Sequence, residues 1–128
     1  MQGNRSRDTL PELAVRSRLH RDGFRFRVAA RPERELRRTA DILFPRARVA
    51  VYLDGCFWHG CPLHSRVAKV NTAYWSAKIA GNRLRDAETD SLLTLRGWNV
   101  LRFWEHENVS EVVALIEFTV RGKVARAR

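Results

Sequence analysis

The stretch ADILFPRARVAVYLDGCFWHGCPLH, residues 40–64, sets two apolar runs before a loop dense in reactive side chains. Ala40 to Phe44 and Ala47 to Leu53 read as two strands, with Pro45-Arg46 as the turn. Val49-Ala50-Val51-Tyr52-Leu53 is apolar almost without interruption, which predicts a strand covered on both faces. Towards the N-terminus, Thr9-Leu10-Pro11-Glu12 is a capping box with proline in the first turn. A helix is therefore predicted from Thr9 through Leu13, Arg16 and Leu19 or His20, stopping at Gly23. Phe24, Phe26 and Val28 alternate with arginines as a half-buried strand does, and residues 29–38 are expected to form a mobile, arginine-rich loop.

Downstream, a long helix is predicted from Thr72 to Arg96, with Ala77, Ala80, Leu84, Ala87, Ser91 and Leu95 as its buried stripe. Gly97 ends it, and Trp98 to Trp104 form another strand. The last helix starts at Asn108 with Glu111 as its box partner. Val109, Val112, Val113, Ile116 and Val120 make its apolar stripe. The order α-β-β-β-α-β-α predicts a small α/β domain, a mixed sheet with helices on its faces. No repeat, low-complexity tract or linker divides the chain, so residues 1–128 read as one domain, with a short basic arm at 1–8 and a basic tail at 122–128.

Charge narrows the partner. The 128 residues carry a formal net charge of +10. Lysine is scarce and arginine dominates, and the arginine fork suits phosphate oxygens. Nucleic acid is the expected partner, with an anionic membrane surface second. No apolar run approaches the roughly 20 residues of a membrane span, and no signal-peptide core follows Met1.

Residues 51–64 hold both cysteines, Cys56 and Cys61, together with His59 and His64. Thiolates and imidazoles at that spacing suit a tetrahedral zinc, whose fourth ligand must come from elsewhere; a Cys56–Cys61 disulfide is the other reading. His59 is then either a zinc ligand or, if Cys56, Cys61, His64 and His106 fill the tetrahedron, an imidazole available as a general base. Asp41 interrupts an apolar strand, where an acid is costly unless paired or metal-bound. It reads either as a solvent-facing edge acid or as one side of a Mg²⁺ site shared with the Leu53–Asp54 region and several waters. Phe57 and Trp58 are core residues under the loop or a wedge between base pairs, which Trp75 would join. Trp75, Ile79, Asn82 and Asp86 share one face of the long helix, as a ligand surface or a polar core network. The capping box accounts for Glu12, and any catalytic part for it is secondary.

The run DGCFWHGC at 54–61 resembles the signature of the very-short-patch repair (Vsr) mismatch endonucleases. Arg7-Asp8-Thr9 with Pro11-Glu12, Ala40-Asp41-Ile42, Asn71 through Trp75, Asn82 with Arg85-Asp86, and Gly97-Trp98 through Glu105 fall in family order. The resemblance covers roughly residues 5–120. It implies a three-layer restriction-endonuclease-like fold of the PD-(D/E)XK class and Mg²⁺-dependent nicking of one strand beside a T·G mismatch in double-stranded DNA. It implies Asp41 and the main-chain carbonyl of Leu53 as Mg²⁺ ligands, His59 as general base, and Glu12 as its support through the active-site water network. Phe57, Trp58 and Trp75 would wedge the duplex, Asn82 and Arg85 would also contact DNA, and Cys56, Cys61, His64 and His106 would hold a structural Zn²⁺. One compact basic domain with no long apolar run is expected to be a monomer without membrane contact, and a bacterial cytoplasmic, nucleoid-associated protein with repair-protein partners is expected alongside the resemblance. Three departures stand out. Ala40 precedes Asp41 where the family usually has proline, and His106 stands where some members have cysteine. Asp54 replaces a second active-site histidine, which makes it a candidate catalytic group or extra metal ligand.

Overall fold

The computed structural model describes residues 10–55 and 72–127. Its elements are α1 (Leu10–Arg21), β1 (Arg27–Ala30), β2 (Ala40–Phe44), β3 (Val49–Asp54), α2 (Thr72–Leu95), β4 (Asn99–Trp104) and α3 (Val109–Ala127). This is the predicted α-β-β-β-α-β-α order. The four strands make one mixed sheet in the order β1-β2-β3-β4. β1 with β2 and β2 with β3 are antiparallel, and β3 with β4 is parallel. A parallel neighbour needs a long crossover, and the span that contains α2 supplies it.

Every residue of β3 is buried, as its unbroken apolar run predicts. Alternate side chains supply two separate cores. Val49, Val51 and Leu53 join Ile42, Phe44 and Phe103 under Val15 and Leu19 of α1 and Val112, Val113, Ile116 and Val120 of α3. Ala50 and Tyr52 join Ala40, Leu43 and Trp98 under Leu93 of α2. The result is three layers, α1 and α3 on one face and α2 on the other. No helix among the described residues is long and apolar enough to cross a membrane.

The helix ends follow from local chemistry. Gly23, at φ +92°, and Gly97, at φ +88°, occupy the left-handed position that glycine adopts without steric cost. At each the chain closes a Schellman turn: Phe24 N–H donates to Leu19 O and Gly23 N–H to His20 O, and Trp98 N–H donates to Leu93 O and Gly97 N–H to Thr94 O. Asn108 caps α3, its Oδ1 accepting the Glu111 N–H at 3.1 Å. Thr9, the predicted cap of α1, lies outside the described residues.

Three expectations need correction. The first strand runs Arg27–Ala30, not Phe24–Val28; Phe24 and Phe26 pack edge-on against Phe44 before the ladder begins. The stripe Ala77, Ala80, Leu84, Ala87, Ser91 and Leu95 faces solvent, with Leu84 at 72% and Leu95 at 83% exposure. Ile79, Thr89 and Leu93 turn inward instead, with Asn82, Asp86 and Asp90 partly buried beside them. The reason is charge: Thr89 meets Arg38, and Asp86 and Asp90 meet Arg102. Thirdly, the arginine-rich segment before β2 is pinned. Glu33 accepts the Trp98 indole N–H at 2.7 Å and pairs with Arg48 and Arg96, Glu35 pairs with Arg96, and Leu36 packs into the α2-side core. The Trp98 indole bond, followed by the two arginines, holds the Glu33 carboxyl below the ordinary glutamate value against a burial effect of opposite sign.

Candidate active site

The start of β2 and the ends of β3 and β4 lie at one end of the sheet. The β2–β3 ladder runs from Phe44↔Val49 to Ile42↔Val51. Two residues past Val51, the Leu53 N–H turns to a side chain, donating to Asp41 Oδ2 at 2.7 Å. Alternation breaks at the same place. Ile42 and Phe44 face α1 and α3, whereas Ala40 packs on the α2 side with Leu43. Across β1, between the pairs Val28↔Ile42 and Ala30↔Ala40, Ala29 takes φ +50°. An alanine in that left-handed region costs about 1–2 kcal/mol. The aspartate thus marks the point where the ladder opens.

Two further carboxylates face this point from different elements. Glu12, in the first turn of α1, is 2% exposed, with Arg16 one turn on at 3.8 Å. Asp54 ends β3 at 9% exposure. Burial pushes the Asp41 carboxyl up to about 7; the Leu53 N–H opposes this, the like charges of Glu12 and Asp54 add to it, and Arg102 works against it. A buried carboxylate among like charges is stabilised by a proton or by a hard cation. The oxygen donors at the opened strand end fit a divalent cation such as Mg²⁺, which takes one or two carboxylates and keeps several waters. Among the described residues no group of three or more His, Cys, Asp or Glu is gathered for a metal, so the fit is to a sparse, water-rich site.

Sequence reading missed Arg102, the basic residue that dominates this end of the sheet. It projects from β4 towards α2, where Nε donates to both Asp90 oxygens at 2.8 and 2.9 Å and Nη1 to both Asp54 oxygens at 3.0 and 3.2 Å. Nη2 reaches the Asp86 carbonyl at 3.4 Å, and the guanidinium lies 4.2 Å over the Tyr52 ring. Burial works against the Arg102 charge, yet Asp54, Asp86 and Asp90 together raise its pKa. A signal existed: an arginine inside Val100-Leu101-Arg102-Phe103, and aspartates one helical turn apart at 86 and 90.

The remaining candidates divide cleanly. Asn82 and Arg85 lie on α2, Arg85 exposed and its Nη2 3.5 Å from Asn82 Oδ1. His106 is exposed in the turn after β4. That turn starts beside the end of β3, where Glu105 N–H donates to Asp54 O. Cys56, Phe57, Trp58, His59, Cys61 and His64 lie outside the described residues, as does the side chain of Trp75.

Residues 1–65 match the family described as DNA mismatch endonuclease Vsr. The type II nicking enzyme V.NaeI of Lentzea aerocolonigenes is 43% identical over 122 residues, covering 94% of this chain and 74% of that protein. This chain belongs to the Vsr family. Further Vsr-related proteins include the type II nicking enzyme V.XorIIP of Xanthomonas oryzae pv. oryzae, 43% identical over 117 residues (90% of this chain, 82% of that protein). The DNA mismatch endonuclease Vsr of Escherichia coli is 36% identical over 109 residues, covering 82% of this chain and 66% of that protein. With Vsr membership the chain is an endodeoxyribonuclease, and its α/β sheet is compatible with a restriction-endonuclease-like fold.

Proposed function

We propose that this Vsr-family protein nicks one strand of double-stranded DNA beside a T·G mismatch, using Mg²⁺ held by Asp41 and the Leu53 carbonyl. The observation that carries the reading is the Asp41 carboxylate, anchored by the Leu53 N–H where β2 and β3 part, with Glu12 buried beside it. A cation there would neutralise charge on the scissile phosphate. Asp41 must be ionised for this, and its hydrogen bond from Leu53 fixes its direction. His59 takes the proton from the attacking water, and Glu12 orders the waters around it. Cys56, Cys61, His64 and His106 form a structural Zn²⁺ site; a Cys₂His₂ set is sufficient for that ion. The protein acts as a monomer in the bacterial cytoplasm, at the nucleoid, and hands its nick to repair proteins.

Phe57, Trp58 and Trp75 wedge the duplex, with Asn82 and Arg85 at the DNA surface. A wobble pair unstacks at lower cost than a matched one, which gives the preference for mismatch. Phe57→Ala should reduce the ratio of mismatched to matched nicking by about tenfold, within the 1–3 kcal/mol expected of one stacking side chain. An unchanged ratio in competition assays would remove the wedge assignment.

The pinned segment before β2 offers a second contact. Its acids are occupied by Arg48, Arg96 and Trp98, while Arg31, Arg34 and Arg37 are exposed and not ion-paired among the described residues. If the three lie on phosphates, replacing all of them with alanine should lower the slope of log affinity against log salt by about 2–3, near 0.9 per contact. A slope equal to that of the parent protein would show that the DNA runs elsewhere.

A second reading is favoured by the relatives named as type II nicking enzymes: nicking that needs no mismatch, linked to a restriction system. A supercoiled plasmid carrying one T·G pair separates the two. Conversion of that plasmid alone to open circles supports mismatch repair, relaxation of the matched plasmid as well supports the second reading, and linear product contradicts nicking.

A further inference from the structure

Arg102 is the only described arginine on β4, and three acids from two elements converge on it: Asp54 of β3, and Asp86 and Asp90 of α2. Its side chain is 19% exposed and the Asp54 side chain 12%, so the pair is screened from water far more than a surface pair. Asp54 follows Leu53 directly, and Leu53 is tied to Asp41 through its N–H. Asp54 is tied twice more, through its carboxylate to Arg102 and through its carbonyl to the Glu105 N–H. The Leu53–Asp54 peptide is therefore gripped from β2 and from β4, and Arg102 is the only one of these grips that carries positive charge.

We infer that Arg102 is a positioning residue that neutralises Asp54 and holds it against β4, so that a divalent cation settles on Asp41 rather than between Asp41 and Asp54. This rests on the Mg²⁺ reading of the site given above. The charge count explains why the device is needed. Asp54, Asp86 and Asp90 bring three carboxylates onto Arg102, and Asp41 feels the charges of Glu12 and Asp54; without Arg102 the strongest cation-attracting position shifts towards Asp54. Such a site binds the ion more tightly and in the wrong place. Tighter binding with slower chemistry is a signature that loss of structure alone would not give.

The test is a double-mutant cycle on the full chain, read by Mn²⁺ binding without DNA (free ion counted by electron paramagnetic resonance) and by nicking at saturating Mg²⁺. Arg102→Met should bind Mn²⁺ roughly tenfold more tightly, the scale set by one unit charge acting on a divalent ion across a short, partly screened distance. It should also nick more slowly. Asp54→Asn should bind several-fold more weakly, and Asp54→Asn with Arg102→Met should return to within about threefold of the parent. Arg102→Lys, which keeps the charge, should bind as the parent does. Should Arg102→Met fail to fold, the Lys variant, Asp54→Asn and the double variant decide the matter. Equal or weaker Mn²⁺ binding in Arg102→Met, or tightening that survives the loss of Asp54, overturns the inference. If binding in the parent does not depend on Asp41, the active-site reading falls and this inference with it; Asp41-dependent binding unaffected by Arg102 overturns the inference alone.

Discussion

Replacing Asp41 with Asn is expected to abolish nicking, with a loss of at least about 10³-fold, while DNA affinity stays within a few-fold of the parent. The loss is large because one charge would hold the cation and direct it at the phosphate, and such stabilisation of transition-state charge is worth several kcal/mol. Binding should survive because the arginine surface, not Asp41, supplies phosphate attraction. The same substitution is expected to stabilise the metal-free protein at pH 8. Asp41 titrates at about 7 in the fold against 3.8 for the ordinary side chain. Between about pH 4 and 7 the folded state therefore retains a proton that the unfolded state has lost, so the Asp41 contribution to stability is most favourable below about pH 4 and declines as pH rises to 7. Above that, the ionised carboxylate destabilises the fold by on the order of 2–4 kcal/mol, which an amide avoids. An amide oxygen can still accept the Leu53 N–H. A higher melting temperature for the variant at pH 8, with the difference vanishing at pH 4, is the expected result. A variant that melts lower at both would show that the Asp41 charge is not buried at cost.

The second large effect is competition between proton and cation. Below pH 7 a cation must displace the proton from Asp41, so the Mg²⁺ concentration for half-maximal nicking should rise roughly tenfold for each pH unit, and level off above 7. At pH 5.5 the requirement should be about thirtyfold higher than at pH 8. At saturating Mg²⁺ the Asp41 titration should disappear from the rate, because the bound ion holds Asp41 ionised, and the remaining pH dependence should be that of the base. A pH-independent half-saturation would place the cation elsewhere. A fall confined to the maximal rate would leave the general base as the only titrating group and remove Asp41 from the competition.

How far the sequence carried this account depends on where the opposing charges lie. β3 and α3 were legible because a burial pattern local to each segment identifies its buried face: Val112, Val113, Ile116 and Val120 repeat at helical spacing, and 49–53 are apolar throughout. The inner face of α2 was not, because it is polar and is matched by Arg38 and Arg102, far along the chain from the residues they meet. Hydrophobic spacing selected the small-residue stripe, which faces water. The pinned segment before β2 was hidden for the same reason: Glu33 and Glu35 look like solvated acids until Arg48, Arg96 and Trp98 are brought beside them. Asp41 was found as an acid out of place in a strand, near the Leu53–Asp54 region across the antiparallel pair; the hydrogen bond it accepts from the Leu53 N–H was not foreseen. Asp54 was read as a candidate catalytic group or extra metal ligand, without the partner that holds it: its pairing with Arg102 joins residues 48 apart in the chain.

The most direct test of the central claim is strand-resolved cleavage of end-labelled duplexes, one matched and one with a single T·G pair, in Mg²⁺ and in EDTA, with the Asp41→Asn protein alongside. The expected result is a Mg²⁺-dependent cut in one strand of the mismatched duplex only, absent in EDTA and absent with the variant. Cleavage that persists in EDTA, or that the variant performs at the parent's rate, would contradict the account.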